Sequence, residues 1–440
     1  MTSMGDFSGY RGKSLEFLRK SGVQNGDVVE VTLDGGTVTG TLVPRYQYDD
    51  DSHLVLKLRT GYNVGLRLDR LKSLKMKSKG ERPRFQSPSP PKPKRSLPRV
   101  SILGTGGTIA SRVDYRTGAV HPAISSEELY ALIPELSEIA RISPEILFSV
   151  YSENIGPENW TEIAEKAAEV VKRGVQGVVI THGTDTLGYT AAALSFALQG
   201  VPAPIVLVAA QRSSDRPSTD AVLNLIAGVS VAAQADFAGV YLAMHANESD
   251  GRVAIHTGTR VRKDHTSARG AFESIGVPPA AVWSRAGFEK VGSVLPRRGS
   301  GGGFTPMAKF DPNVALLKFY PSLPTGVIDS VINSGARAIV FEGTGLGHIN
   351  SRNIPRVRDF VQGGGLAFMT SQCVRGRVDM NVYDTGRDLL AAGVVPLDDM
   401  LAETALVKAM WVLGNTGSAD EAKKLMSKNL AGEMNERTLR

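Results

Sequence analysis

Two loops of the sequence combine glycine with threonine directly after apolar segments. The first reads Gly104-Thr105-Gly106-Gly107-Thr108-Ile109-Ala110 and the second Thr181-His182-Gly183-Thr184-Asp185-Thr186. Glycines allow sharp backbone turns and leave N–H groups free to hold an anion or an oxyanion. A threonine hydroxyl becomes a useful nucleophile once a base takes its proton, and a desolvated, neutral lysine can be that base. These residue types suit nucleophilic attack on an amide.

Each loop also has an ordinary structural interpretation. The first would match a dinucleotide-binding fingerprint only with a third glycine near position 109, which is Ile109. Thr108, and in the second loop Thr184 or Asp185, could simply cap the helices that follow, which is the more common role of one such residue taken alone. Two such loops on successive strand–helix units favour a shared site, because ligands bind at the carboxyl ends of parallel strands.

Together the two loops resemble the two signatures of the bacterial-type L-asparaginases, and their order and separation of about 75 residues also fit. A third segment supports the resemblance, since Asp250-Gly251-Arg252-Val253 leads to Val261-Arg262-Lys263. The resemblance implies an amidohydrolase that needs no metal. It also implies a doubly wound, parallel-sheet α/β domain followed by a smaller α/β domain.

The resemblance assigns catalytic roles by position. Thr108 matches the primary nucleophile. Thr184, Asp185 and Lys263 match a second group, which activates the nucleophile or a water molecule. Within this loop His182 is interpreted as a positioned hydrogen-bonding residue rather than a general base.

Substrate-binding positions follow in the same way. Tyr115 matches a tyrosine of a flexible lid, and Ser152 with Glu153 matches the turn that holds the substrate's α-carboxylate and α-amino groups. Family members commonly have a neutral amide at the position of Glu153, and a carboxylate there would favour the ammonium group. No residue matches the acid that a neighbouring subunit contributes in that family; Asn381 and Asp384 lie nearby in the sequence, and nothing selects between them.

Length and composition limit the classes of protein to which the chain can belong. With 440 residues and 42% apolar content the chain can bury two or three cores, which excludes a disordered or fibrous protein. One cysteine, Cys373, excludes an internal disulfide and a cysteine-based zinc site and fits a reducing compartment. Residues 1–20 lack a signal-peptide core, and nowhere do 18 apolar residues run unbroken. We therefore expect a cytoplasmic protein that contacts no membrane.

The net charge of +7 would ordinarily suggest a nucleic-acid partner. Between Lys72 and Arg99, however, ten basic residues accompany one acid, Glu81. That stretch is +9, so the remaining chain is close to −2. We expect a solvated spacer there, although phosphate attraction is physically reasonable.

The first 78 residues predict a small β-barrel module. Val28 to Leu33 meets Asp34-Gly35-Gly36 before Thr37 to Val43, and an Asp-Gly step between alternating strands is a strong hairpin signal. A second hairpin is predicted from Leu54 to Arg59 and from Tyr62 to Leu68. The module is interpreted as a docking element in preference to a nucleic-acid binder.

Three further regions complete the predicted organisation. Residues 79–98 are rich in proline, lysine and arginine and predict an extended linker. Apolar runs alternate with helical periods from Arg99 onward, which favours a catalytic α/β domain over residues 99–324. A smaller α/β domain is predicted over residues 325–440.

This layout resembles the family of D-type subunits of archaeal-type glutamyl-tRNA(Gln) amidotransferases along essentially the whole chain. The basic linker is longer than that family needs, whereas plain asparaginases lack the longer loop at Arg212 to Ser218. The segments that carry the resemblance are Gly26-Asp27-Val28-Val29-Glu30-Val31, Leu54-Val55-Leu56-Lys57-Leu58, Gly61-Tyr62-Asn63-Val64-Gly65, Val113-Asp114-Tyr115-Arg116-Thr117-Gly118-Ala119-Val120, and Gln211-Arg212-Ser213-Ser214-Asp215-Arg216-Pro217-Ser218.

The resemblance implies a glutaminase or asparaginase subunit that passes ammonia to a partner, the E-type subunit of the amidotransferase. The partner would bind the tRNA and use ATP and Mg²⁺ to convert Glu-tRNA(Gln) to Gln-tRNA(Gln), so this chain would hold no cofactor or metal and meet tRNA mainly through the partner. A symmetric dimer of this subunit within a heterotetramer is the implied assembly.

Two other functions remain open from the sequence. A stand-alone L-asparaginase would use the same residues. A noncatalytic binding protein on an asparaginase scaffold is disfavoured, because Thr108, Thr184, Asp185 and Lys263 are all present.

Overall fold

A computed structural model describes most of the chain. The described residues are 7, 9–45, 50–58, 63–79, 93–106, 111–113, 120–122, 129–130, 133–212, 219–292, 295–299 and 304–438. They divide into two compact units, one of residues 1–88 and 111–121 and the other of residues 89–110 and 122–440. Thr108 and Tyr115 lie outside the described residues, as does most of the predicted linker.

The first unit contains a five-stranded antiparallel sheet, with its strands in the order 4-3-2-1-5. Both predicted hairpins are confirmed, since Leu33 pairs with Gly36 across the first turn and His53 pairs with Arg67 in the second. The strands are Val28–Leu33, Gly36–Leu42, His53–Lys57, Asn63–Arg67 and Leu71–Ser78, with a 3₁₀ turn at Leu68–Arg70, and Ser111–Val113 pairs with Val120–Pro122 in a separate two-stranded sheet.

A helix at Gly12–Ser21 precedes this sheet, and it is not among the elements predicted from the sequence. The helix buries Leu18 in the core of the module and ends at Gly22, whose φ of 66° satisfies the left-handed C-cap. The spacing of the apolar residues Leu15 and Leu18, followed by Gly22, is a pattern that could have predicted this helix.

The basic stretch begins earlier than the linker. Lys72, Lys75 and Lys77 are exposed residues of the strand Leu71–Ser78, which lies at one edge of the five-stranded sheet. Lys72 lies 2.9 Å from a carboxylate oxygen of Asp34. The interpretation of the whole +9 stretch as solvated spacer is therefore corrected, because part of it belongs to a folded edge strand, where lysines discourage pairing with other strands.

The second unit contains an eight-stranded sheet. Five neighbouring strands are parallel. The other three, which form one edge of the sheet, pair antiparallel. In order across the sheet the strands are Gly287–Lys290, Ala281–Ser284, Val253–Thr257, Gly239–His245, Pro204–Val208, Gly177–Thr181, Arg99–Gly104 and Arg141–Ile146. The doubly wound α/β prediction is confirmed, while the antiparallel edge was not predicted.

Helices cover both faces of this sheet, as the strand Gly177–Thr181 shows. Its Val179 packs in the core that includes the helix Ala221–Gln234, whereas Val178 and Ile180 pack in the core on the opposite face. A strand buried on both faces reads as a continuous apolar run. Other helices in the described residues of this part are Leu136–Ile139, Pro157–Lys172 and Leu187–Ala197.

A smaller parallel sheet of four strands follows, as predicted. Its first strand lies on the N-terminal side of the predicted boundary at residues 324 and 325. The strands are Val314–Lys318, Ala338–Gly343, Leu366–Ser371 and Val395–Pro396, and the helices are Thr325–Asn333, Ile354–Gln362, Asp384–Ala391, Ala402–Asn415 and Ala419–Met426. None of the described helices combines the length and apolarity needed to cross a membrane.

The end of the chain is held by a fully buried ion pair. The Nζ of Lys408 lies 2.6 Å from Oε1 of Glu433, and neither side chain is exposed to solvent. Lys408 also donates to the carbonyl oxygens of Met426 and Lys428, at 3.0 and 2.6 Å. Burial lowers the pKa of Lys408, while the Glu433 carboxylate acts in the opposite direction.

Replacing one partner should expose the cost of an unpaired buried charge. We expect Lys408→Met to lower the free energy of unfolding by about 3–5 kcal/mol in urea denaturation. The double variant Lys408→Met/Glu433→Gln should recover part of that loss, because no charge is then left uncompensated. A single variant as stable as the wild type would contradict this account.

Candidate active site

The two glycine- and threonine-containing loops start side by side. The strands Arg99–Gly104 and Gly177–Thr181 are parallel neighbours, with Gly104 paired to Thr181. Immediately beyond them, the backbone N–H and the hydroxyl of Thr105 both donate to the Thr181 carbonyl, at 3.1 and 2.8 Å. The two loops therefore leave the same edge of the sheet from fixed starting points.

Gly106 determines the direction of the first loop. Its φ is 126°, and a Cβ there would lie 2.3 Å from the carbonyl oxygen of Val150. Only glycine fits this turn without displacing backbone. Thr108 follows two residues later, outside the described part of the chain.

The structure brings the predicted residue Lys263 into contact with two predicted residues of the second loop. The Nζ of Lys263 donates to Oγ1 of Thr184 at 2.9 Å and to Oδ1 of Asp185 at 2.8 Å. Lys263 ends the short strand Val261–Lys263, which pairs with Phe272–Ser274. Its side chain is 15% exposed whereas that of Asp185 is 69% exposed. A largely buried amine is thus held between a hydroxyl and an accessible carboxylate.

The predicted substrate-binding turn lies against this loop. Ser152 and Glu153 begin the 3₁₀ turn Ser152–Asn154, with Ser152 buried and Glu153 exposed. The Thr186 hydroxyl donates to the Ser152 carbonyl at 2.6 Å. At Gly183 an added Cβ would come within 2.8 Å of Ser152 Oγ, so the loop and the turn are in close contact.

His182 belongs to the second loop, and its side chain is buried. Its Nδ1 lies 2.7 Å from the Gly183 carbonyl oxygen, and its Nε2 lies 2.9 Å from the Thr190 hydroxyl. Burial lowers the pKa of the imidazole to about 4, although the hydrogen bond to Gly183 acts in the opposite direction. With both nitrogens engaged and the ring neutral near pH 7, His182 does not supply the base.

A second polar cluster shapes the loop after the strand Pro204–Val208. The buried Asp220 carboxylate accepts the backbone N–H groups of Gln211 and Arg212, at 3.0 and 2.9 Å, and the Asn224 amide at 3.1 Å. Asn224 in turn bonds Nδ1 of His245 at 2.6 Å. Sequence reasoning missed this cluster, because an Asp directly before a helix has the pattern of an ordinary N-cap.

The two residues considered for the neighbouring subunit's acid, Asn381 and Asp384, are both exposed. Among the described residues, no group of three or more histidine, cysteine, aspartate or glutamate side chains is arranged to hold a metal ion.

Comparisons with known proteins identify the family and the fold. Family models match residues 23–76 (GatD N-terminal domain), 99–291 (Asparaginase, N-terminal) and 313–426 (Glutaminase/Asparaginase C-terminal domain). The chain is 48% identical to the D-type subunit of glutamyl-tRNA(Gln) amidotransferase from Metallosphaera sedula, over 98% of this chain and 97% of the relative. It is 47% identical to the D-type subunit from Pyrococcus furiosus, over 95% and 97%.

The chain belongs to the family of glutamyl-tRNA(Gln) amidotransferase D-type subunits. The predicted resemblance is confirmed, and the α/β part of this D-type subunit has the asparaginase fold. The thermostable L-asparaginase from Thermococcus kodakarensis matches with a TM-score of 0.69 and 35% identity, over 77% of this chain and 99% of that structure. L-asparaginase I from Vibrio cholerae matches with a TM-score of 0.67 and 27% identity, over 77% and 100%.

Replacement of Lys263 tests the chemistry of this arrangement in the D-type subunit. If Lys263 is the proton acceptor, as the resemblance implies, Lys263→Met should slow ammonia release from Gln or Asn by about 10²–10⁴-fold. Lys263→Arg should be similarly slow, because a guanidinium keeps its proton.

Arg262→Met is the matched control, since Arg262 points to Glu403 at 3.4 Å and not to the loop. We expect the control to retain the wild-type rate. Full activity in Lys263→Arg would instead mean that Lys263 acts only through its positive charge.

Proposed function

We propose that this chain is the component of a glutamyl-tRNA(Gln) amidotransferase that releases ammonia from the side-chain amide of Gln or Asn. The observation that carries the proposal is the contact of Lys263 with Thr184 and Asp185, at the edge of the sheet where the two loops begin. Relatives named as D-type subunits of this amidotransferase match almost the whole chain, which favours this function over a stand-alone asparaginase.

In the proposed first half-reaction Thr108 is the nucleophile. Its Oγ attacks the side-chain carbonyl carbon, while its proton passes through Thr184 to a neutral Lys263. Free N–H groups of the glycine-rich loops would stabilise the tetrahedral oxyanion. The C–N bond then breaks and the nitrogen leaves as ammonia, taking back a proton and leaving an ester on Thr108.

In the second half-reaction a water molecule attacks the ester carbonyl. Lys263 and Thr184 again accept the proton, which returns to the Thr108 oxygen as the C–O bond breaks. The products are ammonia and Glu or Asp, so atoms and protons balance with one water consumed. The proposed steps use Thr108, Thr184, Lys263 and one water molecule, and they include no metal or cofactor.

Two exposed carboxylates would recognise the substrate's ammonium group. Glu153 follows Ser152, and Asp185 belongs to the second loop. Both are exposed, and Ser152 and Gly183 bring the turn and the loop into contact. A carboxylate attracts the α-ammonium of an amino acid more strongly than a neutral amide does. This pair favours a free amino acid with an intact ammonium group over an amide embedded in a peptide.

The rest of the reaction would belong to the partner, the E-type subunit. The partner is proposed to bind tRNA and to activate the glutamyl ester with ATP and Mg²⁺, while this chain supplies ammonia from a twofold dimer within a heterotetramer. A cytoplasmic location fits this role in translation. Any contact of this chain with tRNA would involve the basic stretch, including the exposed lysines of the strand Leu71–Ser78.

Replacing the nucleophile separates the two halves of the complex. In the assembled amidotransferase, Thr108→Val should abolish Gln-dependent formation of Gln-tRNA(Gln), because Val keeps the shape of Thr but has no hydroxyl. The same variant given ammonium chloride should form product at the wild-type rate, since the partner's chemistry is intact. Loss of both reactions in a folded, assembled variant would refute the proposal.

A further inference from the structure

Three buried polar side chains form a chain of hydrogen bonds that ends at Gly183 in the second loop. The indole Nε1 of Trp160 donates to Oγ1 of Thr190 at 3.1 Å, and Oγ1 of Thr190 lies 2.9 Å from Nε2 of His182. Nδ1 of His182 then reaches the Gly183 carbonyl at 2.7 Å. Trp160, Thr190 and His182 are all buried, and they come from two helices and the end of the strand Gly177–Thr181.

This chain of hydrogen bonds has one consistent direction. A carbonyl oxygen can only accept, so Nδ1 of His182 carries a proton and donates it to Gly183. In the neutral ring Nε2 is then the unprotonated nitrogen, and it accepts the single hydroxyl proton of Thr190. The Thr190 oxygen in turn accepts the indole N–H of Trp160, which can only donate. The low pKa of about 4 that burial gives His182 agrees with this neutral form.

The direction of the chain fixes the loop. A Gly183 carbonyl held toward His182 forces the N–H of Thr184 to the opposite side, because a trans peptide places the two groups on opposite sides. The Thr184 hydroxyl is then presented to Lys263 at 2.9 Å. Gly183 also packs against Ser152, so a shift of this one peptide would move both the Lys263 contact and the substrate-binding turn.

The surroundings of Thr190 indicate that its hydroxyl does more than fill space in the core. The neighbouring positions Ala191, Ala192, Ala193 and Leu194 are all buried and apolar. A polar residue buried among them is costly unless it is hydrogen-bonded, and an apolar residue of the same shape would fill the space as well. The hydroxyl is explained by its two buried hydrogen bonds, one to the Trp160 indole and one to His182.

We propose that His182, oriented by Thr190 and Trp160, is a positioning residue that fixes the Gly183 carbonyl and keeps Thr184 in contact with Lys263. The inference rests on the proposed amidase function for its kinetic consequence. Its structural consequence, the Lys263–Thr184 contact, can be measured whatever the chain hydrolyses.

The first experiment removes only the Thr190 hydroxyl, in the assembled complex. Thr190→Val should lower kcat for amide hydrolysis roughly 10- to 100-fold, with a smaller change in KM, because the reacting groups are displaced. Thr190→Ser, which restores the hydroxyl, should recover most of the rate. Thr161→Val is the matched control, since it removes a hydroxyl that donates to the Pro157 and Ala308 carbonyls, and it should leave kcat unchanged.

A crystal structure of each variant supplies the second readout. We expect the distance from Lys263 Nζ to Thr184 Oγ1 to exceed hydrogen-bonding range in Thr190→Val and to stay near the wild-type value in Thr190→Ser and Thr161→Val. An unchanged distance in Thr190→Val, or an unchanged kcat in an active complex, would overturn the inference. If the wild-type complex hydrolyses neither amide, the proposed function fails while the distance still decides this point.

A second pair of variants applies if Thr190→Val does not fold. His182→Asn retains an N–H group near the position of Nδ1, whereas His182→Leu removes it. The Asn variant should keep the Lys263–Thr184 contact and at least roughly tenfold more activity than the Leu variant. Equal contacts and equal rates in the two variants would overturn the inference.

Discussion

The contact of Lys263 with Thr184 and Asp185 is the interaction on which the site depends. A lysine that is only 15% exposed needs partners for its amine, and its two partners lie 79 and 78 residues away along the chain. The sheet supplies one side of the contact, because Gly177–Thr181 ends beside Arg99–Gly104. The other side of the contact is Lys263, which is positioned by the segment that leads into the strand Val261–Lys263.

That segment is held by the C-terminal part of the same unit. Arg260 is buried and paired with Asp399 at 2.6 Å, and the Thr259 carbonyl accepts the Thr404 hydroxyl at 2.9 Å. The Thr259 hydroxyl donates to the Ala431 carbonyl at 3.0 Å. The smaller α/β part and the final residues therefore fix the backbone from which the lysine projects. In this way the loops and the helix Ala402–Asn415 of the C-terminal part hold the segment that carries Lys263.

Sequence patterns predicted the parts of this architecture that depend on local chemistry. A run such as residues 177–181 identifies a strand buried on both faces, and the polar residues after it identify the sheet edge at which Thr184 and Asp185 lie. Lys263 came only from resemblance, because its strand is three residues long. The roles of Thr190 and Asp220 were not predictable, since both depend on which groups from distant segments face them. Asp220 accepts backbone N–H groups of the loop before it, whereas the helix after it contributes only the side-chain amide of Asn224, and only the three-dimensional structure distinguishes this use from an N-cap.

The central claim is that this site releases ammonia for a partner's use, and ammonia release from Gln and Asn by the purified chain tests it most directly. The rate should be measured for the chain alone, with the proposed E-type partner, and with that partner plus Glu-tRNA(Gln). The account predicts slow hydrolysis by the isolated chain and a large increase when the partner and the charged tRNA are present. Rapid hydrolysis that the partner does not change would indicate a stand-alone asparaginase, and no hydrolysis under any of the three conditions would contradict an amidase function.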